Sequence, residues 1–166
     1  MTPPTFKVVN NLSQVLRLHS LWLEGYSEGI CADLRKTDLA GEKFAKANLR
    51  KAIFLKARLI YADLSGADLT GADLRKANLC GANLTGALLR RTKLRGANLC
   101  GANLTGALLR NSDLTAVSLA KANLTNAKLC GANLTKANLA GANLTGADTR
   151  WSRGIIETWT LETNND

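Results

Sequence analysis

The stretch ANLCGANLTGALLR at residues 77–90 returns unchanged at residues 97–110. Fourteen identical residues displaced by twenty positions call for a chain that reaches an equivalent place every twenty residues. Inside that long period lies a short one. From Leu34 to Leu144 every fifth residue is Leu, with Phe44 and Phe54 the exceptions, which makes 23 consecutive pentapeptides. Ala stands two residues ahead of the central residue in 18 of the 23, and Thr37, Glu42, Thr92, Ser112 and Val117 fill the other five.

Neither regular element accepts this period. On an α-helix, at about 100° per residue, a five-residue step turns the side chain through about 500° and spreads the leucines over every side. On a straight strand an odd step alternates them between opposite faces. The chain must therefore turn once per pentapeptide. Ala-x-Leu is a two-residue alternation, so Ala and Leu point to the same side of a short extended segment, and the two residues after Leu make a corner. Eleven of the 14 glycines lie in the repeats, all at the second position after the central residue. A type II turn needs a positive φ there, which glycine supplies without steric cost. The other twelve corners carry Lys, Asn, Arg, Tyr or Ala, and some of these are expected to use a different turn. Four sides close a square, and one circuit takes twenty residues.

The run ADLSGADLTGADLRKANLCGANL at residues 62–84 resembles the pentapeptide repeat family, with its A(D/N)Lxx units. The resemblance extends over about 120 residues, from Ala32 to roughly Ala147. It implies an all-β solenoid, a right-handed quadrilateral β-helix. The segment HSLWLEGYSEGICADLRKTDLAG at residues 19–41 is similar to the helix and linker that precede the coils in many members. Residues 1–31 are thus expected to hold a capping helix at about 12–24, residues 32–148 the repeats, and residues 149–166 a C-terminal cap and tail.

The ends support this division. Leu12, Leu16, His19 and Leu23 fall on one helical stripe with Val15 and Trp22 adjoining, between a candidate N-cap, Asn11, and a candidate stop, Gly25. A solenoid needs such caps over its apolar end coils. The period fails at Thr149, after which Trp151, Ile155, Ile156, Trp159 and Leu161 follow closely. These residues are expected to close the last coil or to join the same end of a second copy in a homodimer.

The chain of 166 residues has 22 Lys and Arg against 13 Asp and Glu, a net charge of +9. Such a balance suits acidic partners and says nothing about fold. Aromatic residues make up only 5%, so the core must be built from Leu and Ala. Cys31, Cys80, Cys100 and Cys130 form no CxxC pair, and His19 is the one histidine, so zinc-site and redox-motif spacing are both absent. Arg17 and His19 break the only run that could serve as a leader, and no stretch reaches the length of a membrane span. A cytoplasmic protein with reduced thiols is expected, with no metal or other cofactor.

Indexing by twenty assigns the surfaces. Asn83, Asn103, Asn123 and Asn143 stand beside Thr85, Thr105, Thr125 and Thr145 as ladders expected to hydrogen-bond from coil to coil. On two neighbouring faces lie Arg50, Lys51, Arg90, Arg91 and Arg110, then Arg35, Lys36, Lys56, Arg75, Lys76, Lys93 and Arg95. These are read as one basic band around one corner, with Arg75, Arg90, Arg91, Lys93 and Arg95 clustered there. Leu88 and Leu108 stack outward beside it as a small apolar patch. Cys80 and Cys100 should be near neighbours with inert thiols. Glu42 stands where a side chain should face inward; pairing with a lysine or His19, or displacement to solvent, is expected there rather than catalysis.

Four function classes remain. Elongated acidic members of the resembling family mimic DNA and protect or inhibit type II topoisomerases. Here residues 32–150 hold 19 basic against eight acidic residues, the wrong sign for such mimicry. A Leu and Ala core leaves no pocket, and no base, nucleophile or metal cluster converges, so no catalytic residues are named. The reading is a non-enzymatic structural or protein-interaction scaffold that presents flat ladder faces to a protein partner. The alternative is binding of nucleic acid or another polyanion through the basic residues.

Overall fold

The computed structural model describes residues 11–154. The one helix among them, α1 (Leu12–Glu24), begins where Asn11 Oδ1 accepts from the Gln14 N–H at 2.9 Å. It ends at Gly25, whose φ of 89° lets its N–H turn back to the Trp22 carbonyl. Gly29 then passes so close that a Cβ there would lie 2.2 Å from the Trp22 nitrogen. That contact folds the linker against the helix, with the Ile30 N–H donating to the Leu18 carbonyl at 2.9 Å.

From Asp33 onward the chain forms parallel bridges between residues twenty apart, the first Asp33 to Ile53 and the last Asn133 to Arg153. Each pentapeptide supplies one short extended segment and one turn. The pairing is reciprocal: the Leu34 N–H donates to the Ile53 carbonyl at 2.7 Å, and the Ile53 N–H donates to the Ala32 carbonyl at 2.9 Å. The result is the right-handed quadrilateral β-helix with an N-terminal helix.

The corners are more uniform than the composition suggests. At a glycine corner, the Ala82 N–H donates to the Leu79 carbonyl at 3.0 Å and Gly81 has a φ of 65°. The twelve non-glycine corners share this backbone, with φ between 53° at Lys36 and 60° at Lys51, and all but the Lys36 corner keep the closing hydrogen bond. The expectation of a second turn type is therefore wrong. Left-handed backbone costs an L-residue about 1–2 kcal/mol. The twenty-residue pairing is kept through every one of these corners.

Inside, the inward leucines and alanines are almost completely excluded from solvent from Ala32 to Leu134, apart from the partly buried Ala47. Phe44 and Phe54 meet edge to face with centroids 6.2 Å apart. Polar residues at inward positions bond to backbone carbonyls: the Thr92 hydroxyl donates to the Leu69 carbonyl of the preceding coil at 2.9 Å, and the Ser112 hydroxyl to the Leu109 carbonyl of its own turn at 2.7 Å. Glu42 is solvent-exposed, on the part of the first coil that remains open. Of the alternatives for it, displacement to solvent is the one observed.

At the N-terminal end, Leu12, Val15 and Leu16 pack against the core and His19 is fully buried. His19 Nδ1 accepts from the Ala32 N–H at 3.1 Å, and the ring stacks on Trp22 at 5.7 Å. His19 is thus the polar pin between helix and first coil. At the other end Ala137, Ala142, Leu144 and Ala147 are only partly buried. Trp151 does not close this end. It occupies a corner, 78% exposed, with the Arg150 guanidinium 5.6 Å from its ring centroid. Ile155, Ile156, Trp159 and Leu161 lie outside the described residues.

Candidate functional site

The basic residues separate into two grooves at two corners. Each pentapeptide turns the chain by a quarter circuit, so Arg90–Arg91 and Arg95, five positions on, cannot share a corner. The first groove, about 400 Å³, is lined by Thr70, Arg90, Arg91, Arg110 and Asn111. The second, about 540 Å³, is lined by Leu55, Lys56, Arg75, Lys76, Arg95, Gly96 and Ala116. Lys93 stands on the flat side between them, in register with Asp73 above and Asp113 below. The single basic corner read from the sequence is therefore incorrect.

Local ion pairs neutralise part of this charge. Arg75 holds Asp73 through two bonds, at 2.8 and 2.6 Å, and this contact pulls the Asp73 carboxyl below its usual range. Arg35 binds Asp33 in the same manner, and Arg50 faces Asp68 at 4.0 Å. The Lys51 ammonium sits 6.0 Å above the Trp22 ring. Arg90, Arg91, Arg95 and Arg110 enter no ion pair among the described residues. Exposed pairs contribute about 0–1 kcal/mol each, so their effect is chiefly on the charge left for a ligand.

Leu88 and Leu108 are bridged to each other and half-buried on the side that ends at Arg90 and Arg110. The Asn–Thr array is wired differently from the expectation. Asn103 Oδ1 accepts from both the N–H and the hydroxyl of Thr105, at 3.1 and 2.7 Å, and Asn83, Asn123 and Asn143 repeat this with their own threonines. The bonds run within a coil because the Asx side chain reaches its own turn more easily than the next coil. Coil-to-coil side-chain bonds occur at Asn83 with Asp63 and at Asn133 with Thr115.

Cys80 and Cys100 are free, half-buried and stacked on consecutive coils. Burial pushes the Cys80 thiol up, and Cys100 beside it adds to the shift. A thiol so shifted is a poor nucleophile at neutral pH. Among the described residues no cluster of three His, Cys, Asp or Glu could hold a metal ion.

One feature of the corners escaped the sequence reading. A large corner side chain lies over the glycine one circuit later: Tyr61 over Gly81 and Asn111 over Gly131. The sequence signal is a bulky corner residue followed by Gly at a distance of twenty, which reading glycine for its φ alone does not use.

The family model for pentapeptide repeats matches residues 30–60, 57–96, 92–129 and 112–148. Among solved structures, a trypsin-treated R167E form of QnrB1, a plasmid-mediated fluoroquinolone resistance protein, is 22% identical with a TM-score of 0.55. The alignment covers 66% of this chain and 58% of that one, less than two thirds of its length. HetL, a pentapeptide repeat protein involved in heterocyst differentiation regulation in the cyanobacterium Nostoc sp. strain PCC 7120, is 34% identical over 75% of this chain and 66% of that one, with a TM-score of 0.30. A pentapeptide repeat protein of the Arabidopsis thaliana thylakoid lumen is 26% identical over 78% of this chain and 73% of that one, with a TM-score of 0.41. No curated protein matches the chain.

Proposed function

The chain belongs to the pentapeptide repeat family, and on that basis we propose that it acts as a non-enzymatic interaction scaffold whose partner is another protein. The observation that carries this reading is the fixed outward array of Asn and Thr side chains. Thr85, Thr105, Thr125 and Thr145 each donate to an Asn two residues earlier at 2.6–2.8 Å. Their rotamers are thereby set before any partner arrives, which lowers the ordering cost of binding. The interior is filled by Leu, Ala and Phe, so the outer faces are where recognition takes place.

A cytoplasmic setting belongs to the same proposal, since the stacked thiols Cys80 and Cys100 suit a reducing compartment. No helix among the described residues is long and apolar enough to cross a membrane. Exposed Trp151, with Ile155, Ile156 and Trp159, is the proposed contact of a homodimer, to be read from the mass in solution of Trp151→Ala against wild type.

The main test is capture of partners from source-cell lysate, with and without nuclease. Wild-type protein is compared with Thr105→Arg and Thr125→Arg, which place charge on the Asn–Thr side. Nuclease-resistant capture that these variants lose supports the scaffold. Capture abolished by nuclease would instead favour nucleic acid as the partner.

A further inference from the structure

We propose that Arg90, Arg91 and Arg110, with Thr70 and Asn111, form a discrete site for one phosphate monoester group or free phosphate, separate from any continuous polyanion track. The five residues line one groove of about 400 Å³ at a single corner. Among the described residues none of the three arginines is paired with a carboxylate. Two sit side by side in the chain, and Arg110 follows Arg90 one coil later, at a spacing of about 4.8 Å. Guanidinium groups at this separation can each direct a fork of N–H donors at the same oxyanion. The Thr70 hydroxyl and the Asn111 amide supply further hydrogen-bonding groups at the rim.

The same corner is interrupted along the solenoid axis. The coil that contributes Thr70 to the groove carries no cation at this corner, only Thr70 and Gly71, and the coil below the groove carries Cys130 and Gly131. The next cations above are already engaged, Arg50 facing Asp68 and Lys51 lying over Trp22. Below, Arg150 is held by Asp148 at 2.9 Å. A chain of phosphodiesters running along this edge would meet unengaged cations on two coils only. A compact dianion meets all three at once. At pH 7 a phosphate monoester carries about −1.5 to −2 charges against −1 for each diester unit, so the concentrated cluster selects the monoester.

The test is a calorimetric titration of the full chain with inorganic phosphate and with methyl phosphate, at constant ionic strength in chloride. One saturable site per chain is expected with either probe, and the tighter of the two tells free ion from ester. Arg91→Gly and Arg110→Gln should each weaken binding about tenfold or more, the usual effect of losing a hydrogen bond to a charged group. Arg91 has a φ of 54°, a conformation glycine adopts more readily, so that variant cannot lose binding through a weakened fold. Lys76→Gln, at the other groove, should bind as wild type does. Absence of saturable binding overturns the proposal, as does an equal loss in Lys76→Gln. Tighter binding of oligothymidylate, reduced by substitution at both corners, would overturn it in favour of a continuous polyanion surface.

Discussion

The ring of Tyr61 rests on Gly81, one circuit further along: a Cβ added to Gly81 would lie 2.3 Å from Tyr61 Cε1. Gly81→Ala therefore meets two obstacles, a φ of 65° and an occupied space. Gly101, the next glycine of the same ladder, has a φ of 64° but nothing within 4 Å of its missing Cβ. Gly101→Ala should cost the backbone term alone, about 1–2 kcal/mol. Gly81→Ala should cost that and a further fraction for displacing a ring that is 74% exposed and free to move aside. Urea denaturation of the two variants measures the difference, and the gap should close when both are made with Tyr61→Ala.

The inward assignment is tested at Leu99, which is 1% exposed in the middle of the stack. Leu99→Ala should lose about 2–5 kcal/mol, because the neighbouring coils are hydrogen-bonded above and below and cannot collapse into the space. Leu99→Asp should be worse, since the narrow core offers no partner to a carboxylate. A thermal melt of Leu99→Asp that matches wild type would show the residue to face outward.

Cys80 and Cys100 give a chemical check of the twenty-residue circuit. Burial raises the Cys80 thiol above its ordinary value, and the adjacent Cys100 reinforces this. Alkylation of native protein at pH 7.5 should be slower at Cys80 than at a cysteine in an unfolded peptide, since the thiolate is the reacting species. Replacing Cys100 with Ala should speed the reaction at Cys80, because one of the two causes is removed. Freshly prepared protein should titrate with all of its cysteines as free thiols.

The fold was legible because its signal is redundant. Each Leu, each Ala and each corner glycine votes for the same quarter turn, and an identical copy at residues 77–90 and 97–110 gives the length of the circuit. The corners were harder to read. Lys36 or Arg91 at a positive φ looks unfavourable taken alone, yet each holds it within a stack whose coils pair above and below. The candidate site is less legible for a related reason: counting basic residues by side merges Arg90 with Arg95, whereas the grooves form at corners a quarter circuit apart. Whether a corner arginine is held by a carboxylate of its own coil follows the residue two positions before it, a signal that the sequence carries but that a count of charges by side does not use. Arg75 meets Asp73 two residues before it, while the unpaired Arg90 follows Leu88 at that same spacing.

The cap gives the protein a pH dependence whose direction can be worked out. His19 is buried, accepts the Ala32 N–H at Nδ1, and leaves Nε2 without a hydrogen bond, near the Arg50 carbonyl. The Trp22 indole is stacked on the ring, with the Lys51 ammonium 6.0 Å from the indole's centroid. Desolvation lowers the His19 pKa from 6.5. The unfolded chain thus binds a proton that the folded chain resists, and stability rises with pH across the interval between the two values. His19 costs nothing above about pH 6.5, and stability falls as pH drops from there towards the folded-state value, by up to about 1.4 kcal/mol per unit. His19→Asn keeps a short acceptor for the Ala32 N–H and removes the titration. Thermal melts between pH 7.5 and 5 should show wild type losing stability while His19→Asn stays nearly level. Parallel slopes for the two proteins would place the pH dependence elsewhere. The helix itself is tested by deleting residues 1–25: Leu12, Val15 and Leu16 would no longer cover the first coil, and the truncated chain should associate or aggregate where the full chain does not.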